Sequence, residues 1–131
     1  MWEYVGMGRT EEGLKTALKL LKDIRKEFET NLFIPGSTEG VNIELEKALR
    51  LNDFITMGEL IAYDALNRNE SCGGHFREEY QTEEGEAKRD DENYFYVSCW
   101  EYQGSDDVAP VLYKEPLVYE AIKVQTRNYK S

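Results

Sequence analysis

The sequence is poor in the residues that mark most metal and redox sites. Its 131 residues include one histidine, His75, and two cysteines, Cys72 and Cys99. Two cysteines allow one disulfide at most and give none of the paired spacings of a zinc site. The beginning, Met1 to Tyr4, lacks the basic and apolar regions of an export signal. We therefore expect reduced thiols in a cytosolic compartment and predict no metal ligands.

Positive charge and long apolar runs are also scarce. The chain carries 16 Lys and Arg against 26 Asp and Glu, which gives a net charge of −10. Nucleic acids and anionic membrane surfaces attract clustered Lys and Arg, so we predict no nucleic-acid partner. No apolar run reaches the roughly 18 residues that would predict a membrane-spanning helix. The length suits one modest core, and nine tyrosines and two tryptophans indicate a folded unit.

Two long helices are predicted in the first half of the chain. Thr10 can cap a helix whose first residues, Glu11 and Glu12, favour the positive end of the helix dipole. Apolar residues then recur on one helical face: Leu14, Ala17, Leu18, Leu21, Ile24 and Phe28. We therefore predict a helix from about residue 11 to 28. After the Pro35-Gly36-Ser37 connection, Asn42 can cap a second helix of roughly 26 residues.

The second predicted helix is apolar nearly all round in its second half. Such a helix is buried on more than one side, and two helices cannot cover it, so we expect a further helix or a partner domain. Gly58 in its middle costs about 1 kcal/mol relative to Ala, which a close helix approach would explain. Trp2 to Arg9 carries four large apolar residues in a segment too short to bury them. We therefore expect the chain to be a fragment that forms oligomers when isolated.

The second half of the chain has the composition of a small β region. Residues 81–87 form a polar surface excursion, and the aromatic and β-branched run at 94–102 predicts a strand. Further strands are predicted at 110–113 and 117–126, separated by Lys114-Glu115-Pro116. The predicted fold class is therefore α+β and mainly α. A helical unit over 1–80 is followed by a polar excursion and an antiparallel β tail over 81–131, and both form one compact unit.

Three motifs resemble one known family. Glu70-Ser71-Cys72-Gly73-Gly74-His75-Phe76-Arg77-Glu78-Glu79-Tyr80 resembles the E-S-R-G-A-H-x-R-x-D-[YF] signature of succinate dehydrogenase and fumarate reductase flavoprotein subunits. Arg89-Asp90-Asp91-Glu92-Asn93 is similar to the R-D-D-E-N that follows it in that family. Trp2 to Leu14 resembles the family's W-x-x-V-G-x-x-R-x-x-x-G-L segment. The resemblance covers nearly the whole chain, but Cys72 replaces the signature arginine and the connection at 81–88 is longer than usual.

The resemblance implies the C-terminal domain of such a subunit. It implies a spectrin-repeat-like three-helix bundle, with the first helix truncated to Trp2–Gly6, followed by an extended tail. The intact enzyme would interconvert succinate and fumarate at FAD and pass electrons to an iron–sulfur subunit and a quinone-using membrane anchor. It would lie in the cytoplasm, peripheral on the inner face of the cell membrane. The family's catalytic and flavin-binding residues lie upstream, so we predict none here and no bound cofactor.

Two other interpretations remain open. The chain could be a stand-alone acidic helical interaction module that has kept the scaffold without the enzyme. It could also be the C-terminal domain of a related flavoprotein such as L-aspartate oxidase, although the cluster at 89–93 favours the succinate and fumarate branch. A metal site at His75 and Glu79, or a thiolate pair of Cys72 and His75, is a weaker interpretation.

Residues 68–80, here called the signature loop, carry dense opposite charges. Gly73 and Gly74 are predicted to turn the backbone and to help stop the second helix. Charged groups that a neighbouring domain covers must be paired, or they cost several kcal/mol. We therefore predict that the loop docks this domain on the flavin-binding domain of the same subunit. The predicted docking residues are Arg68, Glu70, His75, Arg77, Arg89, Asp90 and Asp91.

Overall fold

Two long helices dominate the fold seen in a computed structural model, which describes residues 1–37, 39–105 and 108–125. The helices are α1 (Glu11–Asn31), α2 (Ile43–Asn67) and the short α3 (Asp91–Tyr94). The strands are β1 (Gly8–Arg9), β2 (Phe76–Arg77), β3 (Tyr96–Glu101) and β4 (Val111–Pro116). The predicted class, mainly helical α+β with a small antiparallel sheet, is confirmed.

Both predicted helix starts are confirmed. The Thr10 hydroxyl accepts a hydrogen bond from Gly13 N–H at 3.0 Å and begins α1. The Asn42 side-chain oxygen accepts from the N–H groups of Glu44 and Leu45 and begins α2. These caps satisfy amide donors that have no partner within the first helical turn. The first helix continues three residues past the predicted end, to Asn31.

The two long helices run antiparallel and bury a core of mostly small side chains. Arg25 near the end of α1 contacts Glu59 of α2, whereas Leu14 near its start belongs to the same buried cluster as Ala62 and Ala65. Val5, from the segment before α1, joins this cluster. Alanines on the buried face of α2 allow the helix axes to approach closely.

Gly58 lies where α2 is crossed by other parts of the chain. A Cβ atom at this position would lie 3.2 Å from Met1 Sδ and 3.6 Å from Leu21 Cδ2. The predicted close approach is therefore present, and Met1 makes its tightest contact. A second face of α2 is exposed, with Phe54, Met57 and Ile61 uncovered, as the all-round apolar pattern predicts.

We expect Gly58→Ala to stabilise the chain by about 0.8 kcal/mol, because alanine favours a helix over glycine by roughly that amount. A methionine side chain is flexible, and Met1 is 48% exposed, so its thioether can move away from the new methyl group. Gly58→Val is the contrasting variant, since its branched side chain would press on Leu21 and should destabilise. Urea unfolding midpoints measure both effects. A midpoint for Gly58→Ala below that of the unsubstituted chain would contradict this explanation.

The strands form two separate two-stranded sheets. β1 and β2 pair in parallel, with Gly8 opposite Phe76 and Arg9 opposite Arg77. β3 and β4 form an antiparallel hairpin whose register runs from Tyr96 opposite Pro116 to Glu101 opposite Val111. The parallel pair ties the segment before α1 to the signature loop.

Trp100 attaches the β3–β4 hairpin to α2. Its indole N–H donates to Asp64 Oδ1 at 2.8 Å, and its ring meets that of Tyr63 edge-on, with centroids 5.0 Å apart. Tyr102, Tyr113 and Tyr119 remain exposed. Trp100 thus contributes to the packing of the tail on the long helices.

Two predicted features of the tail are wrong. β4 continues through Lys114-Glu115-Pro116. Proline has no N–H to donate, but an edge strand tolerates it where that N–H would face solvent and not a neighbouring strand. No strand forms over 117–125. Alternating side chains suit a strand with one buried face, but a strand also requires a neighbouring strand to pair with. Thr126, the last residue of the predicted strand, lies outside the described residues. Trp2–Gly6 is not assigned to a helix, but Val5 N–H donates to Met1 O at 2.8 Å, which is the i→i+4 hydrogen bond of a single helical turn.

Candidate functional site: the signature loop

The signature loop leaves α2 directly and folds back on itself. Arg68 is the C-terminal cap of α2 and lies five residues before Gly73, the first glycine of the pair. Cys72 and His75 exchange backbone hydrogen bonds of 2.8 and 3.0 Å, and Gly73 adopts a φ of 58° in the turn between them. The glycine pair therefore forms a tight turn, and its predicted role as a helix stop is wrong. A left-handed φ at Gly73 is the conformation that glycine adopts without strain.

Arg77 is the most deeply buried charged side chain of the loop, with 1% exposure. Its Nη1 donates to the carbonyl oxygens of Ala65 and Leu66 at 3.0 and 3.3 Å. These carbonyls belong to the last turn of α2, which contains no basic residue of its own. Arg77 therefore supplies the positive charge and the donors that the end of the helix requires.

Glu79 completes the same arrangement at the start of α1. One carboxylate oxygen accepts from Arg77 Nε at 3.0 Å, and the other accepts from Glu11 N–H at 2.6 Å. Burial raises the pKa of Glu79, but hydrogen bonds from the backbone N–H groups of Glu11 and of Glu79 itself and from Arg77 outweigh it and lower that pKa. One ion pair thus places a cation at the negative end of α2 and an anion at the positive end of α1.

Glu70 forms a second joint, between α2 and the tail. Its side chain is 3% exposed and accepts from Arg68 Nη1 at 2.8 Å and from Asp90 N–H at 2.9 Å. Arg68 also donates to the carbonyl oxygens of Tyr94 and Tyr96 and lies over both rings. The buried pair therefore fixes the position where the tail enters the β3–β4 hairpin.

Arg89 and Asp91 form a more exposed pair beside this joint. Arg89 donates from Nε and Nη2 to Asp91 Oδ1 at 3.0 and 2.6 Å, and from Nη1 to Gln125 O at 3.4 Å. Asp90 caps α3 by accepting from Asn93 N–H at 3.2 Å. The cluster at 89–93 thus organises a single helical turn and contacts the later part of the tail.

His75 is held as a neutral ring with a defined tautomer. Its Nδ1 lies 2.9 Å from Arg9 Nη1, and its Nε2 lies 3.0 Å from Arg68 O. A guanidinium can only donate, so Nδ1 accepts and Nε2–H donates to the carbonyl. Burial is the largest cause that lowers the pKa of His75, the hydrogen bond to Arg68 O opposes it, and the charges of Arg9, Arg77 and Arg68 lower it further.

This environment predicts a pH dependence of stability. Between the ordinary histidine pKa of about 6.5 and the lower pKa of folded His75, the unfolded chain binds more protons than the folded one. The contribution of neutral His75 to stability should therefore be fully present above about pH 6.5, and it should be lost as the pH falls through that window. Because His75 is the one histidine of the chain, His75→Gln should flatten the dependence. Urea unfolding at a series of pH values tests this, and an unchanged slope in the variant would contradict it.

The structure brings together the charged residues that the sequence singled out, and it adds others. Arg68, Glu70 and His75 lie in one hydrogen-bonded network, Asp90 joins it through its backbone N–H, and the side chain of Arg77 bonds to Glu79 and to the end of α2 instead. Arg89 and Asp91 lie at its edge. The predicted docking residues did not include Arg9, Ser71 or Glu79. Ser71 is fully buried, and its hydroxyl exchanges hydrogen bonds with the Arg77 backbone at 2.8 and 3.1 Å.

The chemistry of this network is that of a structural joint. Its cations lie against carbonyls, carboxylates or a neutral imidazole, and its carboxylates accept from backbone N–H groups and arginines. In the ranges 1–37, 39–105 and 108–125, no group of three or more His, Cys, Asp and Glu side chains could hold a metal ion. No helix in those ranges is long and apolar enough to cross a membrane. The fold and the network thus define a helical-hairpin domain whose charged loop joins both helix ends to a β tail.

The chain belongs to the family described as fumarate reductase flavoprotein C-term, which matches residues 1–129. It is 34% identical over 80 residues to an FAD-dependent oxidoreductase of Methanocaldococcus jannaschii, covering 61% of the chain and 14% of that protein. It is 36% identical over 80 residues to L-aspartate oxidase 2-b of Nicotiana tabacum, covering 61% of the chain and 12% of that protein. It is 30% identical over 117 residues to the fumarate reductase flavoprotein subunit of Helicobacter pylori, covering 89% of the chain and 15% of that subunit.

A solved structure shares the fold. FrdA of Escherichia coli quinol fumarate reductase superposes with a TM-score of 0.76 at 23% identity, covering 94% of this chain and 20% of that one. The chain therefore spans about one eighth to one fifth of the proteins it resembles. The predicted family is confirmed, and what those longer proteins do is considered below as a proposal for this one.

Proposed function

We propose that this chain is the C-terminal domain of an FAD-dependent subunit that interconverts succinate and fumarate by hydride and proton transfer. The family match over residues 1–129 is the observation that carries the proposal. The alignment with the fumarate reductase subunit of Helicobacter pylori extends over 89% of the chain, through the cluster at 89–93. In this proposal FAD and the catalytic residues belong to the upstream part of the subunit, and this domain binds no cofactor itself.

In this proposal the domain itself holds its helices and tail in place and docks on the flavin-binding domain. The Arg77–Glu79 pair holds the two long helices together at one end, and the Arg68–Glu70 pair holds the tail. The docking residues Arg68, Glu70, His75, Arg77, Arg89, Asp90 and Asp91 would shape the face that meets the flavin-binding domain. Of these residues Asp91 is exposed and Arg77 and Glu70 are buried. The buried members would thus act by positioning the loop.

The intact assembly would contain further subunits. We propose an iron–sulfur subunit that accepts electrons from FAD and a membrane anchor that uses quinone. The flavoprotein would then lie in the cytoplasm, peripheral on the inner face of the cell membrane. Domain docking also explains why apolar side chains of α2, such as Phe54 and Met57, are exposed in this chain. When the chain is isolated, the same surface would promote self-association.

Expression of the longer reading frame tests the proposed activity. The purified subunit should show a stoichiometric flavin absorbance and should oxidise succinate with an artificial electron acceptor. The isolated chain, as control, should show neither property. A reading frame without an upstream flavin-binding domain would instead support a stand-alone interaction module.

L-aspartate oxidase is the second candidate activity. The alignment with L-aspartate oxidase 2-b of Nicotiana tabacum has the higher identity, 36%, although it covers 61% of the chain. The two candidates differ in their substrate and electron acceptor. Oxidation of aspartate with production of hydrogen peroxide, without oxidation of succinate, would favour this second candidate over the first.

A further inference from the structure

Arg9 differs from the other arginines of the described part of the chain. Five arginines there have a carboxylate oxygen within ion-pair distance: Arg25, Arg50, Arg68, Arg77 and Arg89. Arg9 has none, although it is half-buried. The carboxylate of Asp64 acts on Arg9 electrostatically, but its Oδ1 accepts a hydrogen bond from the Trp100 indole and it forms no ion pair with Arg9. A partly desolvated cation without an anion is costly, so a partner is expected from outside the described residues.

The guanidinium of Arg9 is nevertheless held in place. Its Nε donates to Gly6 O at 2.7 Å, and its Nη1 donates to His75 Nδ1 at 2.9 Å. Its backbone is fixed by the parallel pairing of β1 and β2. Neither side-chain partner is charged, and the other N–H groups of Nη1 and Nη2 have no described partner. A guanidinium that is oriented in advance loses little freedom when it binds an anion.

The local balance of charge also calls for an anion. Arg9 lies opposite Arg77 in the register of β1 and β2, and both act on His75 as positive charges. Glu79 compensates Arg77, and Glu70 compensates Arg68. The opposite charge that acts on Arg9 is Asp64, but this carboxylate lies beyond ion-pair distance, and the net charge of the whole chain is −10. That net charge repels free polyanions, whereas a carboxylate on a tethered domain is present at a high effective concentration.

We propose that Arg9 binds an Asp or Glu carboxylate of the flavin-binding domain on which the signature loop docks. This inference rests on the proposed function and names the chemistry of the contact. A carboxylate matches the planar donors of a guanidinium, and its negative charge makes the hydrogen bonds short and strong. The signature loop supports this contact, because His75 accepts one N–H of Nη1, and the other N–H groups of Nη1 and Nη2 have no described partner.

Zero-length carbodiimide cross-linking of the longer subunit tests the contact. Arg9→Lys keeps the charge and the backbone pairing of β1, and it supplies an amine that carbodiimide couples to a neighbouring carboxylate. Mass spectrometry should then find residue 9 joined to an Asp or Glu of the flavin-binding domain. The matched control is Arg50→Lys, which should couple to Glu46, its ion-pair partner one helical turn away. Coupling of the control without coupling at residue 9 would overturn the inference.

Two further results separate this inference from the proposed function. Cross-links from native lysines to the flavin-binding domain, without one at residue 9, would overturn the Arg9 contact and leave docking intact. If neither kind of cross-link forms, both the contact and docking are wrong. Coupling of residue 9 to Glu78, an exposed acid beside Gly8, would also overturn the contact.

A second variant covers the case in which Arg9→Lys loses its fold. Arg9→Glu places a carboxylate opposite the proposed partner carboxylate, so limited proteolysis should release this domain from the longer subunit several-fold faster. Arg50→Glu makes the same change of charge at an exposed site. Equal rates of release for the two variants would contradict the proposal.

Discussion

Arg77→Ala is expected to destabilise the chain by about 3 kcal/mol, because the hydrogen bonds of a buried charged group are lost, although its ion-pair partner Glu79 is 39% exposed. The substitution removes the donors that satisfy Ala65 O and Leu66 O at the end of α2. It also leaves Glu79 without its arginine while its other oxygen still accepts from Glu11 N–H. Both helix ends are therefore affected by one side chain. Urea unfolding followed by circular dichroism measures the change in the free energy of unfolding.

Two further variants test whether the buried position of Arg77 causes the expected loss of stability. Arg77→Lys keeps the charge but loses the fork of donors, so its loss of stability should be intermediate. Arg50→Ala breaks the pair with Glu46, in which both side chains are at least half exposed, and should cost less than about 1 kcal/mol. If Arg50→Ala were as destabilising as Arg77→Ala, the capping of both helix ends would not explain the effect.

Glu70→Gln is expected to cost about 2 to 3 kcal/mol and to loosen the tail before the helices unfold. Hydrogen bonds to a buried charged group contribute about that amount. Glutamine has nearly the shape of glutamate but carries no charge for Arg68, and only one oxygen for both Arg68 and Asp90 N–H. Amide hydrogen exchange should therefore become faster at Asp90 and in the β3–β4 hairpin, while the core amides of α1 and α2 change less.

Glu92→Gln is the matched control for this prediction. Glu92 is an exposed acid two residues beyond Asp90 in the same charged cluster. The substitution makes the same chemical change without removing a buried charge, so stability and exchange should stay close to those of the unsubstituted chain. Faster exchange throughout α1 and α2 in Glu70→Gln would contradict a role limited to the joint with the tail.

The sequence could indicate which charged residues form ion pairs, but not which other groups those residues contact. Arg68 with Glu70, Arg77 with Glu79, and Arg89 with Asp91 are each two residues apart, so a dense run of opposite charges indicates them. Their further partners are distant in sequence. Arg77 reaches carbonyls 11 and 12 residues earlier, and Glu79 accepts from an amide 68 residues earlier. No local pattern encodes such distances.

The errors in the tail and in the loop have related causes. Residues 117–125 alternate as a strand would, but a strand requires a partner edge, and that edge depends on the fold. The glycine pair was assigned to the end of α2, whereas Arg68 and the distant Arg77 satisfy that end. Arg9 was missed because its partner His75 lies 66 residues away.

The sequence by itself determined the helix starts, the mainly helical class and the family, because caps, periodicity and motifs depend on residues close together in the chain. The tertiary structure alone decided which charges became internal. It placed the start of α1 beside the end of α2, and Arg77 and Glu79 then met the two opposite helix dipoles at one place. It also left Arg9 held by a neutral His75 without a carboxylate. The physical reason is that burial, which determines the cost of a charge, is a property of the assembled fold.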